Sequence, residues 1–191
     1  DKPEHKAAKL AAAYLTEPPD RLVTVTTAGA VHVWDVGTKA AVGEYVPPKA
    51  AAGKVAPGRG VAPLANRHGV VVAVGGTMYT VDTAGDVTGN PGEELGGDVG
   101  RSLALAVSPA GKLVYAFETG GDGPKEKAVV QLVGAGSPRG PVHRWPADAG
   151  EPVAAGWAGD AVASLATSQG AAVWFDAEGT AFSPLAVART P

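Results

Sequence analysis

The side chains of this 191-residue chain that could do metal or acid–base chemistry are four histidines and the carboxylates. The histidines are His5, His32, His68 and His143. They are too far apart in sequence to form the close pair that zinc sites commonly use. Glu93, Glu94 and Asp98 cluster in a glycine-containing stretch, but they lack the alternating oxygen ligands of a calcium loop. We therefore interpret that cluster as a solvated loop and predict no metal site.

Nucleophilic and cofactor-binding motifs are the next candidates for chemistry. The chain has no cysteine and no Gly-x-Ser-x-Gly elbow. Gly134–Gly136 could open a dinucleotide loop, but Arg139 stands where the next glycine is required, and nearby prolines oppose a following helix. Two Gly-Lys pairs lack the rest of a phosphate loop. The sequence thus predicts no catalytic residue and no cofactor, and we expect the protein not to be an enzyme.

Composition narrows the class of protein further. The chain is 45% hydrophobic and 18% charged, with 27 glycines and 16 prolines, which suits short strands joined by many turns. A net charge of −3 argues against a general nucleic-acid binder. No run approaches the 18 apolar residues of a membrane span. The Ala, Gly, Val and Arg bias is typical of GC-rich bacterial proteins, and nothing indicates the compartment.

The elements that must position any site begin with one hairpin. Leu22–Thr26 and Val31–Trp34 are rich in β-branched residues and flank Ala28-Gly29, a turn signal. Runs of about five residues are too short for a helix of roughly ten or more. The sequence therefore predicts strand, turn and strand.

A spacing of 47 residues repeats this hairpin along the chain. Asp35 and Asp82 are 47 residues apart, and Asp176 follows Asp82 after twice that interval. A further copy should centre near position 129, within the apolar segment 128–133. Each Asp follows a third strand and is expected to cap a type I turn, with a downstream glycine that tolerates positive φ. We predict repeats at about 9–47, 59–94, 100–148 and 151–188, within one domain spanning residues 1–191.

The segments Leu103–Phe117 and Leu22–Asp35 resemble repeats of the WD-repeat β-propeller family. Trp34-Asp35 is the only true WD pair, and no Gly-His pair opens a repeat. Quinoprotein-like propellers have the same outline of repeats and are the alternative family. The resemblance, with the repeat period, implies an all-β, β-propeller-like fold of about four blades of short antiparallel strands.

Two points of architecture stay open at this stage. Lys9–Leu15 precedes the first turn as a first strand should, but the Ala-rich segment from Asp1 could equally form a helix. Four repeats are few for a closed ring, and the chain begins at Asp1 rather than Met. We therefore expect it to be part of a larger propeller or assembly, completed by further blades or by another subunit.

The functional hypothesis is a non-enzymatic scaffold that offers loop surfaces to a protein partner. The contact stretches would be Pro47–Pro63, Gly120–Lys127 and Gly134–Arg144, with Trp145 as an exposed aromatic anchor. The candidate partner-contact residues are Lys49, Lys54, Arg59, Lys125, Arg139, Arg144 and Trp145. The alternative is a small-ligand sensor or enzyme with an axial pocket, which requires polar residues at the start of the inner strands.

Overall fold

The protein folds as four antiparallel sheets in chain order in the computed structural model. The residues that the structure describes are 9–17, 20–48, 54–94, 99–119, 129–133, 142–145, 150–176 and 183–189. Every regular element among them is a β-strand, which confirms the all-β class. No helix in these ranges is long and apolar enough to cross a membrane.

Each sheet is a meander in which consecutive strands are neighbours. The first sheet contains β1 Leu10–Leu15, β2 Arg21–Thr26, β3 Val31–Asp35 and β4 Ala41–Tyr45. The second contains β5 Val61–Pro63, β6 Gly69–Val74, β7 Thr77–Asp82 and β8 Thr88–Gly89, and β9 Glu93–Glu94 also pairs with β7. The third contains β10 Val99–Val107, β11 Leu113–Thr119, β12 Val129–Val133 and β13 Val142–Arg144. The fourth contains β14 Pro152–Ala158, β15 Val162–Thr167, β16 Ala171–Asp176 and β17 Ser183–Arg189.

The hairpin and its period are confirmed in the strand pairing. Asp35, Asp82 and Asp176 are the last residues of β3, β7 and β16, the third strands of their sheets. The segment predicted near position 129 is β12, the third strand of the remaining sheet. Leu10–Leu15 is a strand, which decides the open question about the N-terminal segment in favour of a first strand.

The turns after the third strands follow the Asp prediction only in part. The Asp35 carboxylate accepts the Thr38 backbone N–H at 2.6 Å and the Thr38 hydroxyl at 2.8 Å, and Asp82 accepts the Ala84 N–H at 2.8 Å. Gly85, three residues after Asp82, does not adopt a positive φ. In the turn after β3 the residue with positive φ is Lys39, with φ 59°. An Asp carboxylate thus accepts a backbone N–H in both turns, whereas the position of the residue with positive φ varies.

Three apolar cores lie between successive sheets. Val23, Val25, Val31 and Val33 of the first sheet are fully buried against the second sheet, because they alternate along β2 and β3. Burying each valine contributes roughly 1.5–3 kcal/mol. The core between the second and third sheets contains Ala62, Val71, Ala73, Met78, Leu105, Tyr115 and Phe117. The core between the third and fourth contains Leu103, Ala104, Val114, Ala116, Trp145, Ala163, Leu165, Val173 and Phe175.

The first strands of the sheets run next to one another. β1 contacts β5, β5 contacts β10, and β10 contacts β14. The first strands are thus neighbours along all four sheets, and the first two sheets also meet through β4 and β8. Residues on or beside the first strands of neighbouring sheets can therefore share one site.

Polar bonds tie neighbouring sheets at their turns. Arg21 Nη1 donates to the Thr83 carbonyl at 2.7 Å between the first and second sheets. Between the third and fourth, the Ala110 N–H donates to Asp160 Oδ1 at 2.7 Å, and Lys112 Nζ donates to the Asp160 carbonyl at 2.8 Å. The Ser108 hydroxyl and the Ala110 N–H hold the pKa of the Asp160 carboxyl below its usual value. These bonds fix how successive sheets sit on each other.

Candidate functional site

A cavity of about 430 Å³ opens where the first strands of three sheets meet. It lies between the residue that precedes β1, the turn after β2, the segment before β5 and the first half of β10. Its lining residues are Lys9, Thr27, Lys54, Val55, Ala56, Pro57 and Ser102. The cavity is therefore built from the first three sheets and not from a single loop.

Backbone hydrogen bonds hold the segment before β5 against the first sheet. The Thr27 N–H donates to the Lys9 carbonyl at 2.8 Å, and the Val55 N–H donates to the Thr27 carbonyl at 2.9 Å. The Gly58 N–H donates to the Ala11 carbonyl at 3.0 Å. Val55 is 1% exposed and packs in the first core. Lys54 thus stands on a fixed backbone at the cavity rim, next to Lys9.

Two cations stand on the described lining of the cavity. Lys9 and Lys54 are both exposed, and no carboxylate is among the lining residues that the structure describes. Within the described ranges neither lysine forms an ion pair, whereas Arg59 and Arg67 do. The hydroxyl groups of Thr27 and Ser102 add polar atoms to the lining. Two ammonium groups around an open cavity suit a carboxylate or phosphate group.

Ser102 is hydrogen-bonded to a buried phenol. Its Oγ lies 2.6 Å from the Tyr115 hydroxyl, and both residues are buried. Burial raises the pKa of Tyr115 to about 12, while the Ser102 hydrogen bond partly opposes this shift. Tyr115 is therefore a neutral phenol at physiological pH. No His, Asp or Glu is among the described residues that line the cavity with Ser102.

The residues predicted to contact a partner are not all available on the surface. Lys54 is exposed at the cavity rim, as expected for a contact residue. Arg59 Nη1 lies 2.9 Å from Glu151 Oε1, so it joins the start of the second sheet to the start of the fourth. Trp145 is only 5% exposed and packs against Phe175, with ring centroids 5.9 Å apart. The exposure expected of Trp145 is therefore wrong, because the indole fills the core between two sheets.

The remaining predicted contact residues are placed less fully. Lys49, Lys125 and Arg139 lie outside the described residues, as do the stretches around them. Arg144 is the last residue of β13. The prediction for these four positions stays a prediction.

Lys9, Thr27 and Ser102 were missed when the sequence was read. Lys9 and Thr27 belong to the first repeat and Ser102 to the third, and no motif links them. Lys9 directly precedes β1, and Lys54 lies seven residues before β5. A comparison of the segments that lead into the first strands would have paired the two lysines, because the first strands are neighbours.

Comparison with known proteins assigns no family. No protein-family model matches this chain, and no curated protein matches it. Among the described residues, no group of three or more His, Cys, Asp or Glu side chains could hold a metal ion. The sheets and the cavity with its two lysines are therefore the features that bear on function.

Proposed function

We propose that this chain is a non-enzymatic protein-interaction module whose four sheets are blades of a propeller, within a larger ring or assembly. Two observations support this architecture: each sheet is a four-strand meander with consecutive neighbours, and the first strands of successive sheets are adjacent. Blades arranged around an axis have both properties. Such a scaffold presents its connecting loops on a common face, where binding needs no chemistry.

The partner we propose is a protein segment rich in Asp or Glu. The observation that carries this choice is the cavity beside the first strands, whose described lining contains Lys9 and Lys54 and no carboxylate. Backbone hydrogen bonds around Val55 fix where the Lys54 side chain starts before binding. A fixed backbone lowers the cost of ordering the contact. An acidic side chain could reach both lysines while its backbone stays on the surface.

A labelled oligoglutamate peptide tests this proposal by fluorescence anisotropy at low and high salt. We expect Lys9→Ala and Lys54→Ala each to weaken binding by roughly two- to fivefold, the effect of an exposed ion pair. Salt should weaken wild-type binding by screening the charges. The matched control is Lys39→Asn, which removes an exposed lysine at a turn of the first sheet and suits the positive φ there.

The control decides whether the effect belongs to the cavity. If Lys39→Asn weakens binding as much as Lys54→Ala, the peptide senses only overall charge and the proposed contact surface is refuted. Unchanged binding in the Lys9→Ala, Lys54→Ala double variant would refute it as well. Retained far-ultraviolet circular dichroism should accompany each variant, because both lysine side chains are exposed.

A small anionic ligand is the second candidate, and the cavity volume favours it. A volume of about 430 Å³ lies within the usual range for small-molecule sites, roughly 300–1,000 Å³. Polar residues line the cavity on or before the first strands: Lys9 precedes β1, Lys54 lies in the segment before β5, and Ser102 lies in the first half of β10. Calorimetric titration with inorganic phosphate and with a dicarboxylate separates the two candidates. Saturable binding that blocks the oligoglutamate peptide would favour the small ligand.

A further inference from the structure

One face of the first sheet lacks a neighbouring sheet. Strand pairing places Leu15 opposite Leu22, and Leu22 opposite Trp34, so these three side chains share one face. That face points away from the second sheet, because the alternate residues, including Val23 and Val33, fill the core between the two sheets. Leu15 is 43% exposed and Trp34 is 37% exposed. The result is an apolar row across three strands that is exposed at Leu15 and Trp34 and partly buried at Leu22.

Among the side chains that the structure describes, the exposed large apolar groups occur in and around the first sheet. Among the described residues, the large hydrophobic side chains that are exposed all belong to the first sheet or to the segments joined directly to its strands. They are Leu10, Leu15, Trp34, Val36, Val42 and Val46. Scattered exposure of this kind is ordinary on any surface, but a concentration on one sheet marks an interaction site.

The repeat identifies what should cover this face. In the 47-residue register Trp34 corresponds to Val81 of the second sheet and Phe175 of the fourth. Val81 packs against the first sheet, and Phe175 packs against the third, so both point toward the preceding sheet. Trp34 therefore occupies the position that contacts a preceding sheet. The uncovered face has the geometry of an inter-sheet contact that this chain already makes three times.

The fourth sheet presents the opposite kind of face. Ser164 pairs with Gly156 on one side and with Trp174 on the other, and these residues alternate with the core-facing Leu165 and Val173. A second row on this face is formed by Ala154, Ala166 and Ala172. In the repeat register Trp174 corresponds to Val33, which contacts the following sheet. This face, which carries mostly small residues around Trp174, is therefore the one that corresponds to a contact with a following sheet.

We propose that the outer face of the first sheet docks on the fourth sheet of a second copy of this chain. The two faces are the complementary halves of the contact that recurs between the sheets within one copy. Because the contact joins unlike faces, two copies related by a two-fold axis form it twice and close a ring. The ring has eight sheets, within the range of about four to eight blades. This inference rests on the propeller architecture proposed above.

Sedimentation of the full chain at about 10 µM tests the docking, since specific complexes of standard size are populated at such concentrations. We expect twice the monomer mass for the wild type. Trp34→Glu and Ala166→Glu should each give a monomer with unchanged circular dichroism, because a charge would be buried without a partner. The matched control is Ala84→Glu. Ala84 is exposed in the turn after β7 of the second sheet, so this charge should leave the dimer intact.

Mixing the two monomeric variants tests the direction of the contact. A Trp34→Glu chain keeps an intact fourth sheet, and an Ala166→Glu chain keeps an intact first sheet, so the mixture can form one unaltered contact. We expect a heterodimer in the mixture, whereas each variant alone should stay monomeric. A contact between two first sheets would not be restored in this way.

Three results would overturn the docking: a wild-type monomer at this concentration, a Trp34→Glu dimer, or a mixture that stays monomeric. The oligoglutamate measurement separates this failure from failure of the proposed function. A wild-type monomer that binds the peptide through Lys9 and Lys54 rejects the second copy and leaves the interaction module standing. A dimer whose oligoglutamate binding is unchanged by the lysine substitutions supports the docking and rejects the proposed contact surface.

Discussion

Replacing Phe117 by alanine should test whether the stacked sheets depend on each other for stability. Phe117 lies on β11 and has no exposed surface. Its ring stacks on Tyr115, with centroids 5.1 Å apart and planes 24° apart. Both rings fill the core between the second and third sheets. The Phe117→Ala change therefore removes a large part of the contact that joins the first half of the chain to the second.

The expected loss follows from burial. Truncating a fully buried phenylalanine to alanine costs about 3–5 kcal/mol, since the transfer free energy is lost and a cavity remains. Domains of this kind have total stabilities of about 5–15 kcal/mol. With a urea dependence of about 2 kcal/mol per molar, a loss of about 4 kcal/mol lowers the unfolding midpoint by about 2 M.

Urea unfolding followed by circular dichroism at a fixed protein concentration measures this change, because association would add to stability. Val36→Ala is the control, since Val36 is 44% exposed and should change the free energy of unfolding by at most about 0.5 kcal/mol. A Phe117→Ala loss below about 1 kcal/mol would refute the packing argument. It would mean that the second and third sheets do not rely on this ring.

Two further predictions concern turns. The Thr38 N–H and hydroxyl hold the pKa of the Asp35 carboxyl below its usual value. Ionised Asp35 therefore stabilises the fold at pH values above its unfolded pKa of about 3.9. This stabilisation is lost as the pH falls through the lower pKa of the folded state. Thermal unfolding of wild type and Asp35→Ala should therefore differ at neutral pH and converge in strong acid, and a pH-independent difference would contradict this. Gly29→Ala should lower the melting temperature far more than Gly58→Ala: both glycines have positive φ, but a Cβ at Gly29 would lie 2.6 Å from Val74 Cγ2, whereas Gly58 has open space. Equal losses would show that backbone strain alone sets the cost.

Much of the fold was predictable because its signals are local. The alternation of Val23, Val25, Val31 and Val33 predicts a hairpin with one buried face, and the structure has that hairpin. The recurrence of Asp35, Asp82 and Asp176 predicted the ends of three strands. Periodicity and turn chemistry act within a few residues, so a single sequence carries them.

The candidate site was only partly predictable. Lys54 was named as a partner-contact candidate from the sequence, whereas Lys9 and Ser102, which line the same cavity, were not. Trp145 was expected on the surface and lies in a core. In each case the sequence did not show where a neighbouring sheet would pack against the strand or segment that carries the residue. Strand patterns fix the alternation of side chains, but they do not say which side meets which neighbour.

The amino-acid sequence by itself determined that the chain forms short antiparallel strands with a 47-residue repeat and Asp-capped turns, because backbone preferences and side-chain alternation are local properties. Only the tertiary structure decided that the first strands lie side by side, that Lys9 and Lys54 share a cavity, and that Trp34 stands on an uncovered face. These facts depend on the packing of one sheet on the next. Such packing joins residues that are about one repeat or more apart, and no local signal encodes it.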